Sequence, residues 1–146
     1  SRFPRQATLG LFYLDGRPVI CIDTHFDFDA PAQMGASRVI EQHLVAYSQE
    51  IPVILMGDFN ATPDSACYRW LTGNPDGREK GLGFRETFTE PYPSTFHRFT
   101  GEPVAGYIDW ILFRGPLGMK ECRVGQASLD GMFLSDHFPV IAVFGF

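Results

Sequence analysis

The chain has 146 residues, which is enough for one domain with a hydrophobic core of its own. Hydrophobic residues make up 45% of it and charged residues 20%, as in an ordinary globular domain, and no apolar run approaches the roughly 20 residues of a membrane span. The net charge of −5, without a basic patch, argues against electrostatic binding to a nucleic-acid backbone and favours either a small ligand or a phosphate whose charge a metal ion offsets.

The first predicted elements are strands. Apolar runs at 8–14 and 17–25 flank Asp15 and Gly16, a strong turn signal, and together they predict a β-hairpin. The continuous apolar middle of the second run predicts burial on both faces of that strand. A further short buried strand is predicted at 52–57.

Two helices are predicted, both in the first half of the chain. Apolar residues at helical spacing predict one helix over 33–49. Pro63, Asp64 and Ser65 form a typical start for a second helix over 66–71. The buried face of the first helix is predicted to carry Ala36, Val39, Ile40, Leu44 and Tyr47.

The second half of the chain is predicted to consist of loops and strands. The Gly- and Pro-rich segment 73–106 predicts loops with a short strand at 84–88, and strands follow at 107–113, 121–127 and 138–144. Because strands outnumber helices and mostly neighbour one another along the chain, the fold class is predicted to be α+β with a mostly antiparallel sheet. Two helices cannot cover both apolar faces of such a sheet, so its strands are expected to pack on another sheet that this chain does not contain.

Polar side chains follow the strand at 52–57, in the sequence Gly57-Asp58-Phe59-Asn60. The glycine allows a sharp turn, so that Asp58 and Asn60 project near one point. A carboxylate that orients or deprotonates a water, beside an amide that binds the water or a phosphate oxygen, is what phosphoryl transfer uses. The alternative is an Asx turn after a strand, which favours the same two residue types.

A second group of polar side chains comes from the later strands. Asp136 and His137 precede the last strand, and Asp136 is a hard oxygen ligand suited to Mg²⁺ or Mn²⁺. Asp109 is predicted within an apolar strand, where a buried carboxylate needs a partner. Pairing with His137 would fix the ring's tautomer and favour imidazolium, a local cation for phosphate. A purely structural histidine is the alternative for His137 and for His25, which ends the strand at 17–25.

The order of these motifs resembles the endonuclease/exonuclease/phosphatase superfamily, which has the pancreatic-deoxyribonuclease-like fold. The resemblance runs from about Thr8 to the end of the chain. The motifs that carry it are Thr24-His25, Gly57-Asp58-Phe59-Asn60, Ile108-Asp109-Trp110-Ile111 and Ser135-Asp136-His137-Phe138-Pro139-Val140.

This resemblance implies a four-layered α/β/β/α sandwich and assigns a role to each motif residue. Asp58 matches the catalytic Asp, and Asn60 matches the Asn that positions water and phosphate. Asp109 matches the carboxylate that orients the catalytic His, which is His137. The two remaining residues are Asp136, which matches a metal-associated acid, and His25, which matches a histidine near the scissile phosphate.

The chain also departs from the family pattern. The family begins with a strand that ends in Asn, followed by a Gln-Glu pair whose Glu is the principal metal ligand, yet residues 1–24 contain neither Glu nor Asn. The family domain is also about twice as long. Residues 1–146 are therefore expected to be the carboxy-terminal part of a single family domain, half of the sandwich. Either the missing amino-terminal half or a second copy is expected to cover the open sheet face. The contact is expected at those of Val19, Cys21, Val53, Leu55 and Ile111 that point away from the helices.

The function that follows is metal-dependent hydrolysis of a phosphate ester by the intact parent domain, with Mg²⁺ or Mn²⁺ as cofactor. The fragment alone is expected to be inactive. The substrate stays open between nucleic acid and a small molecule, and between phosphodiester and phosphomonoester. His97 and Arg98, in the loop segment, are candidate phosphate contacts. The alternative is a non-catalytic module that keeps the fold and binds a partner.

Overall fold

The structure, a computed structural model, describes residues 4–73, 81–104, 106–126 and 128–146. Residues 74–80 and 105 of the predicted loop segment, and residue 127 of the predicted strand at 121–127, lie outside the described residues. The elements are β1 (Ala7–Leu14), β2 (Arg17–His25), α1 (Ala30–Leu44), β3 (Val53–Asp58), α2 (Ala66–Thr72), β4 (Arg85–Glu86), β5 (Asp109–Arg114), β6 (Gly118–Val124) and β7 (Val140–Gly145).

Most of the described strands form one sheet, in the order β1-β2-β3-β5-β4, and β6 and β7 pair separately. β2 and β3, which α1 connects, are parallel, whereas the other pairs are antiparallel. The predicted α+β class with a mostly antiparallel sheet is thus confirmed. Asp15 and Gly16 both have positive φ, as the tight β1–β2 hairpin turn requires.

Both helices pack on one face of the five-stranded sheet. Ile20 and Ile22 of β2, Leu55 of β3 and Leu112 of β5 point to this face and are almost fully buried. Side chains alternate between the faces of a strand, so Val53 also faces the helices, while Val19, Cys21 and Ile111 face the other way. Stacking of Phe59 on Trp110, with 4.3 Å between ring centroids, closes this core beside the turn that follows β3.

Helix α1 begins and ends earlier than the predicted 33–49. Asp29 caps its start by accepting a hydrogen bond from the Ala32 N–H at 3.1 Å. The prediction that Val39 lies on the buried face is wrong, because its side chain is 50% exposed. Its place is taken by polar residues: Gln33 and Ser37 are buried together with Ile40 and Leu44.

The sheet face opposite the helices is partly covered by this chain itself. Phe113 of β5 packs against Phe144 of β7, with 5.1 Å between ring centroids. A cavity of about 540 Å³ remains between this face and the segment before β7. Phe12 of β1, 58% exposed, and Leu134, 91% exposed, stay open to solvent on or beside it. Neither described helix is long and apolar enough to cross a membrane.

Candidate active site

Three polar side chains form a row across neighbouring strands. The parallel register of β2 and β3 sets His25 opposite Asp58, and the antiparallel register of β3 and β5 sets Asp58 opposite Asp109. Residues directly opposite each other point to the same face of a sheet. We call these three residues the polar row; it lies at one end of the sheet, on the face away from the helices. The register alone therefore brings together residues far apart in the sequence.

His137 completes the arrangement from the segment before β7. Its Nδ1 lies 2.8 Å from Asp109 Oδ2, so the predicted pairing of these residues is present. Its Nε2 lies 4.0 Å from Asp58 Oδ2, and His25 Nε2 lies 3.2 Å from the same oxygen. The Asp58 carboxylate thus stands between two imidazole rings, which can stabilise its negative charge.

A tight turn after β3 fixes the direction of the Asp58 carboxylate. Gly57 has φ 144°, and a Cβ on it would lie 1.8 Å from the Thr24 carbonyl oxygen, so the close approach of β2 requires glycine. Asp58 Oδ1 accepts a hydrogen bond from the Asn60 N–H at 2.8 Å, which is an Asx turn. The Asx turn that the sequence offered as an alternative to a catalytic role is therefore present. It leaves the other carboxylate oxygen, Oδ2, directed at the two histidines.

The Asn60 side chain is anchored next to this carboxylate. Its Nδ2 donates to the Phe26 carbonyl at 3.0 Å, so one amide N–H is engaged and the other can meet a ligand. The Asn60 carbonyl accepts from Gln33 Nε2 at 3.0 Å, and the same Gln33 nitrogen donates to the Asp27 carbonyl at 2.8 Å. The buried Gln33 of α1 thus connects the turns that follow β2 and β3.

The charges around His137 favour its imidazolium form. Burial alone would lower the pKa of His137, but the hydrogen bond and charge of Asp109, with Asp58 and Asp136, raise it above its usual value. Burial also raises the pKa of Asp109, and hydrogen bonds from Thr95 and His137 offset this only in part. Both directions mean that the pair keeps its proton to higher pH than either group would alone.

The carboxylates of the site match the donors that a divalent cation prefers. One oxygen each of Asp58 and Asp109 and one nitrogen of His137 lie within 4.8 Å of one another. Carboxylate oxygens suit Mg²⁺ or Mn²⁺, so Asp58 and Asp109 fit such an ion, whereas His137 in its imidazolium form would not be a ligand. Asp136, the predicted metal ligand, is not part of this three-residue group. Instead it lines a cavity together with these three residues, and its backbone carbonyl accepts hydrogen bonds from the His97 and Arg98 N–H groups.

A cavity of about 700 Å³ opens over the polar row. Exposed Phe28 and half-buried Phe96 form part of its wall, and neither was predicted. The predicted site residues that line it are His25, Asp58, Asn60, Asp109, Asp136 and His137.

A sequence model of the Endonuclease/Exonuclease/phosphatase family matches residues 2–137. The chain belongs to this family. A search of curated proteins gives no match.

Solved structures with the family fold agree with this assignment. An endonuclease/exonuclease/phosphatase from Bacteroides vulgatus is 26% identical with a TM-score of 0.80, covering 97% of this chain and 55% of that one. A functionally unknown conserved protein from Enterococcus faecalis is 28% identical with a TM-score of 0.78, covering 95% and 55%. A mannosyl-6-phosphatase from Bacteroides thetaiotaomicron is 20% identical with a TM-score of 0.77, covering 98% and 58%. The chain thus spans little more than half the length of these structures.

The two residues predicted to contact phosphate differ in their exposure to solvent. His97 is fully buried, stacked on Phe138 with 3.9 Å between ring centroids, and its Nδ1 accepts from the Gly101 N–H. This position is incompatible with a phosphate contact, because no solvent reaches the ring. Arg98 is exposed, with its guanidinium 5.9 Å from the centroid of Phe96, a ring that also neighbours His137.

Proposed function

We propose that this chain is the carboxy-terminal part of a single endonuclease/exonuclease/phosphatase domain whose intact form hydrolyses phosphate esters with a divalent ion, Mg²⁺ or Mn²⁺. The observation that carries the proposal is the Asp58 carboxylate held between His25 and the His137–Asp109 pair. The chain spans 55% of two family-fold structures, which supports its assignment as part of a larger domain.

In the proposed reaction, Asp58 orients the attacking water and takes its proton. The oxygen of the water bonds to phosphorus, and the phosphorus–oxygen bond on the opposite side breaks. The leaving oxygen keeps the electron pair and gains a proton from solvent. Asn60 hydrogen-bonds the water or a phosphate oxygen through its remaining amide N–H. A bound divalent ion would neutralise part of the charge on the phosphoryl group.

His137 acts on the same phosphoryl group as a cation. Asp109 holds its Nδ1, so the Nε2 side of the ring faces Asp58 and the cavity. There a protonated ring can stabilise the negative charge that develops on the phosphoryl oxygens. His25 lies on the other side of Asp58, in reach of the same phosphate. The two imidazoles can thus supply positive charge for the phosphate in a sequence that has no basic patch.

The substrate is a phosphate ester, either of nucleic acid or of a small molecule. The acidic chain supports a small molecule, because a nucleic-acid backbone needs many cationic contacts. One relative with this fold is named a mannosyl-6-phosphatase, which agrees with that choice. Exposed Arg98, whose guanidinium lies 5.9 Å from the ring centroid of the wall residue Phe96, is the candidate residue for recognising the rest of the substrate.

The proposal predicts that activity belongs to the intact parent and not to residues 1–146 alone. The parent, screened against phosphomonoesters and phosphodiesters, should release phosphate or cleave the diester only with added Mg²⁺ or Mn²⁺. The chain alone, which lacks the Glu ligand that the resemblance leads us to expect, should show at least about a hundredfold less activity under the same conditions. Efficient metal-dependent turnover by the chain would contradict the assignment as a partial domain.

The same screen separates the enzyme from a non-catalytic module. A module that only binds a partner would show no turnover in the parent at any metal concentration. It would also tolerate loss of Asp58 without a measurable change in function. Metal-dependent turnover that depends on Asp58 excludes it.

The proposal further predicts association through the sheet face opposite the helices. The purified chain should form dimers, measured by light scattering, that addition of the amino-terminal part of the parent dissociates. Phe12→Lys on this face should weaken the dimer, because burying a phenylalanine there contributes about 2 kcal/mol. Tyr13→Lys, on the opposite face of the same strand, is the matched control. A monomer that persists at high concentration would contradict the prediction.

A further inference from the structure

Thr95 connects the two segments that carry the His137–Asp109 pair, and it takes no part in the reaction proposed above. Its side chain is fully buried, in the loop between β4 and β5. Its Oγ1 accepts hydrogen bonds from the N–H groups of Ile108 and Asp109, both at 3.3 Å. Thr95 also lowers the pKa of the neighbouring Asp109 carboxyl, against the effect of burial. One side-chain oxygen thus holds the backbone at the start of β5, from which the Asp109 carboxylate projects.

The backbone of the same residue holds the His137 segment. The Thr95 carbonyl accepts from the Phe138 N–H at 2.7 Å. The next residue, Phe96, forms a backbone bridge with His137, and the centroids of their rings lie 4.9 Å apart. Since Asp109 begins β5 and His137 precedes β7, these two residues have no element in common. Thr95 contacts both segments, through its hydroxyl on one side and its backbone carbonyl on the other.

We propose that Thr95 is a positioning residue that sets the direction of the Asp109 carboxylate toward His137 Nδ1. Asp109 must present one oxygen to the ring, and without the Thr95 hydroxyl its carboxylate can rotate away. Loss of the hydroxyl would slow the chemical step, because a misdirected His137 no longer stabilises the negative charge that develops on the phosphoryl oxygens. The catalytic consequence rests on the proposed function, whereas the geometric one does not.

The test of the geometry uses residues 1–146 and needs no activity. Nitrogen-15 spectra of histidine-labelled protein report the Nδ1 proton of His137, which should exchange slowly because Asp109 holds it. Thr95→Val removes the hydroxyl at constant shape, so this proton signal should be lost to exchange. Thr95→Ser keeps the hydroxyl and should keep the signal. Thr87→Val also removes a buried threonine hydroxyl, but one that contacts Glu86 instead, and it should leave the signal unchanged.

A His137 signal that survives in Thr95→Val would overturn the inference. Equal loss in Thr87→Val would also overturn it, because a general loosening of the fold would then explain the effect. In the intact parent, Thr95→Val should lower kcat about tenfold, with KM within about twofold, and Thr95→Ser should restore kcat to within about threefold of the original. A parent without any turnover would refute the proposed function and leave the positioning role to the spectra.

Discussion

Replacing Asp58 with asparagine is expected to lower kcat of the intact parent about a thousandfold while the fold is retained. The carboxylate is the group that takes the proton of the attacking water, and a neutral amide cannot do so. The amide oxygen can still accept the Asn60 N–H, so the turn after β3 should persist. Steady-state kinetics on the best substrate of the screen, with thermal unfolding of the same samples, measures both quantities.

Asp15→Asn is the matched control for this substitution. Asp15 lies in the β1–β2 turn, at the far end of the sheet, and adopts a positive φ that asparagine also accepts. The kcat of the Asp15→Asn variant should equal that of the unchanged parent. If Asp58→Asn kept more than about a tenth of the activity, the assignment of Asp58 as the proton acceptor would have to be abandoned.

Replacing Gly57 with alanine is expected to destabilise the chain by about 4 kcal/mol or more, which approaches the whole stability of a small domain. The added Cβ would lie 1.8 Å from the Thr24 carbonyl oxygen, in a strand pairing at the centre of the sheet. Either β2 and β3 separate or the end of β3 distorts next to Asp58. Urea unfolding followed by circular dichroism measures the loss.

Gly35→Ala is the same chemical change, but it is expected to stabilise the chain instead of destabilising it. Gly35 lies within α1, and a Cβ there would meet nothing within 4 Å. Alanine should therefore stabilise the chain by up to about 1 kcal/mol, because it favours the helix. A Gly57→Ala variant as stable as Gly35→Ala would show that β2 and β3 do not approach as closely as described.

Where local chemistry decides the structure, the sequence was sufficient. Asp15 and Gly16 allow few conformations other than a tight hairpin turn, and the hairpin is present. Ser65 was expected at the start of the second helix, and its hydroxyl does cap α2 by accepting from the Tyr68 N–H. The pairing of Asp109 with His137 was also within reach, because a carboxylate in an apolar strand needs a partner.

Where distant contacts decide, the sequence was not sufficient. Apolar spacing set Val39 on the buried face of α1, but the hydrogen bonds of Gln33 to the Asp27 and Asn60 carbonyls rotate that face toward polar residues. His97 is a candidate phosphate contact on sequence grounds because it belongs to the loop segment 73–106, which is expected to line the site. Only the packing of Phe133 and Phe138 around the ring reveals its buried position.

The polar row has a consequence for how this scaffold could acquire new specificities. Its spacing is set by backbone hydrogen bonds between β2, β3 and β5, whereas Phe28 and Arg98 belong to connecting segments. Lengthening a connection leaves the spacing intact, but inserting one residue into β3 before Asp58 would turn its side chain to the helix face. Libraries confined to the exposed positions Phe28 and Arg98 should therefore yield variants that differ in ligand preference while the spacing of the polar row stays the same.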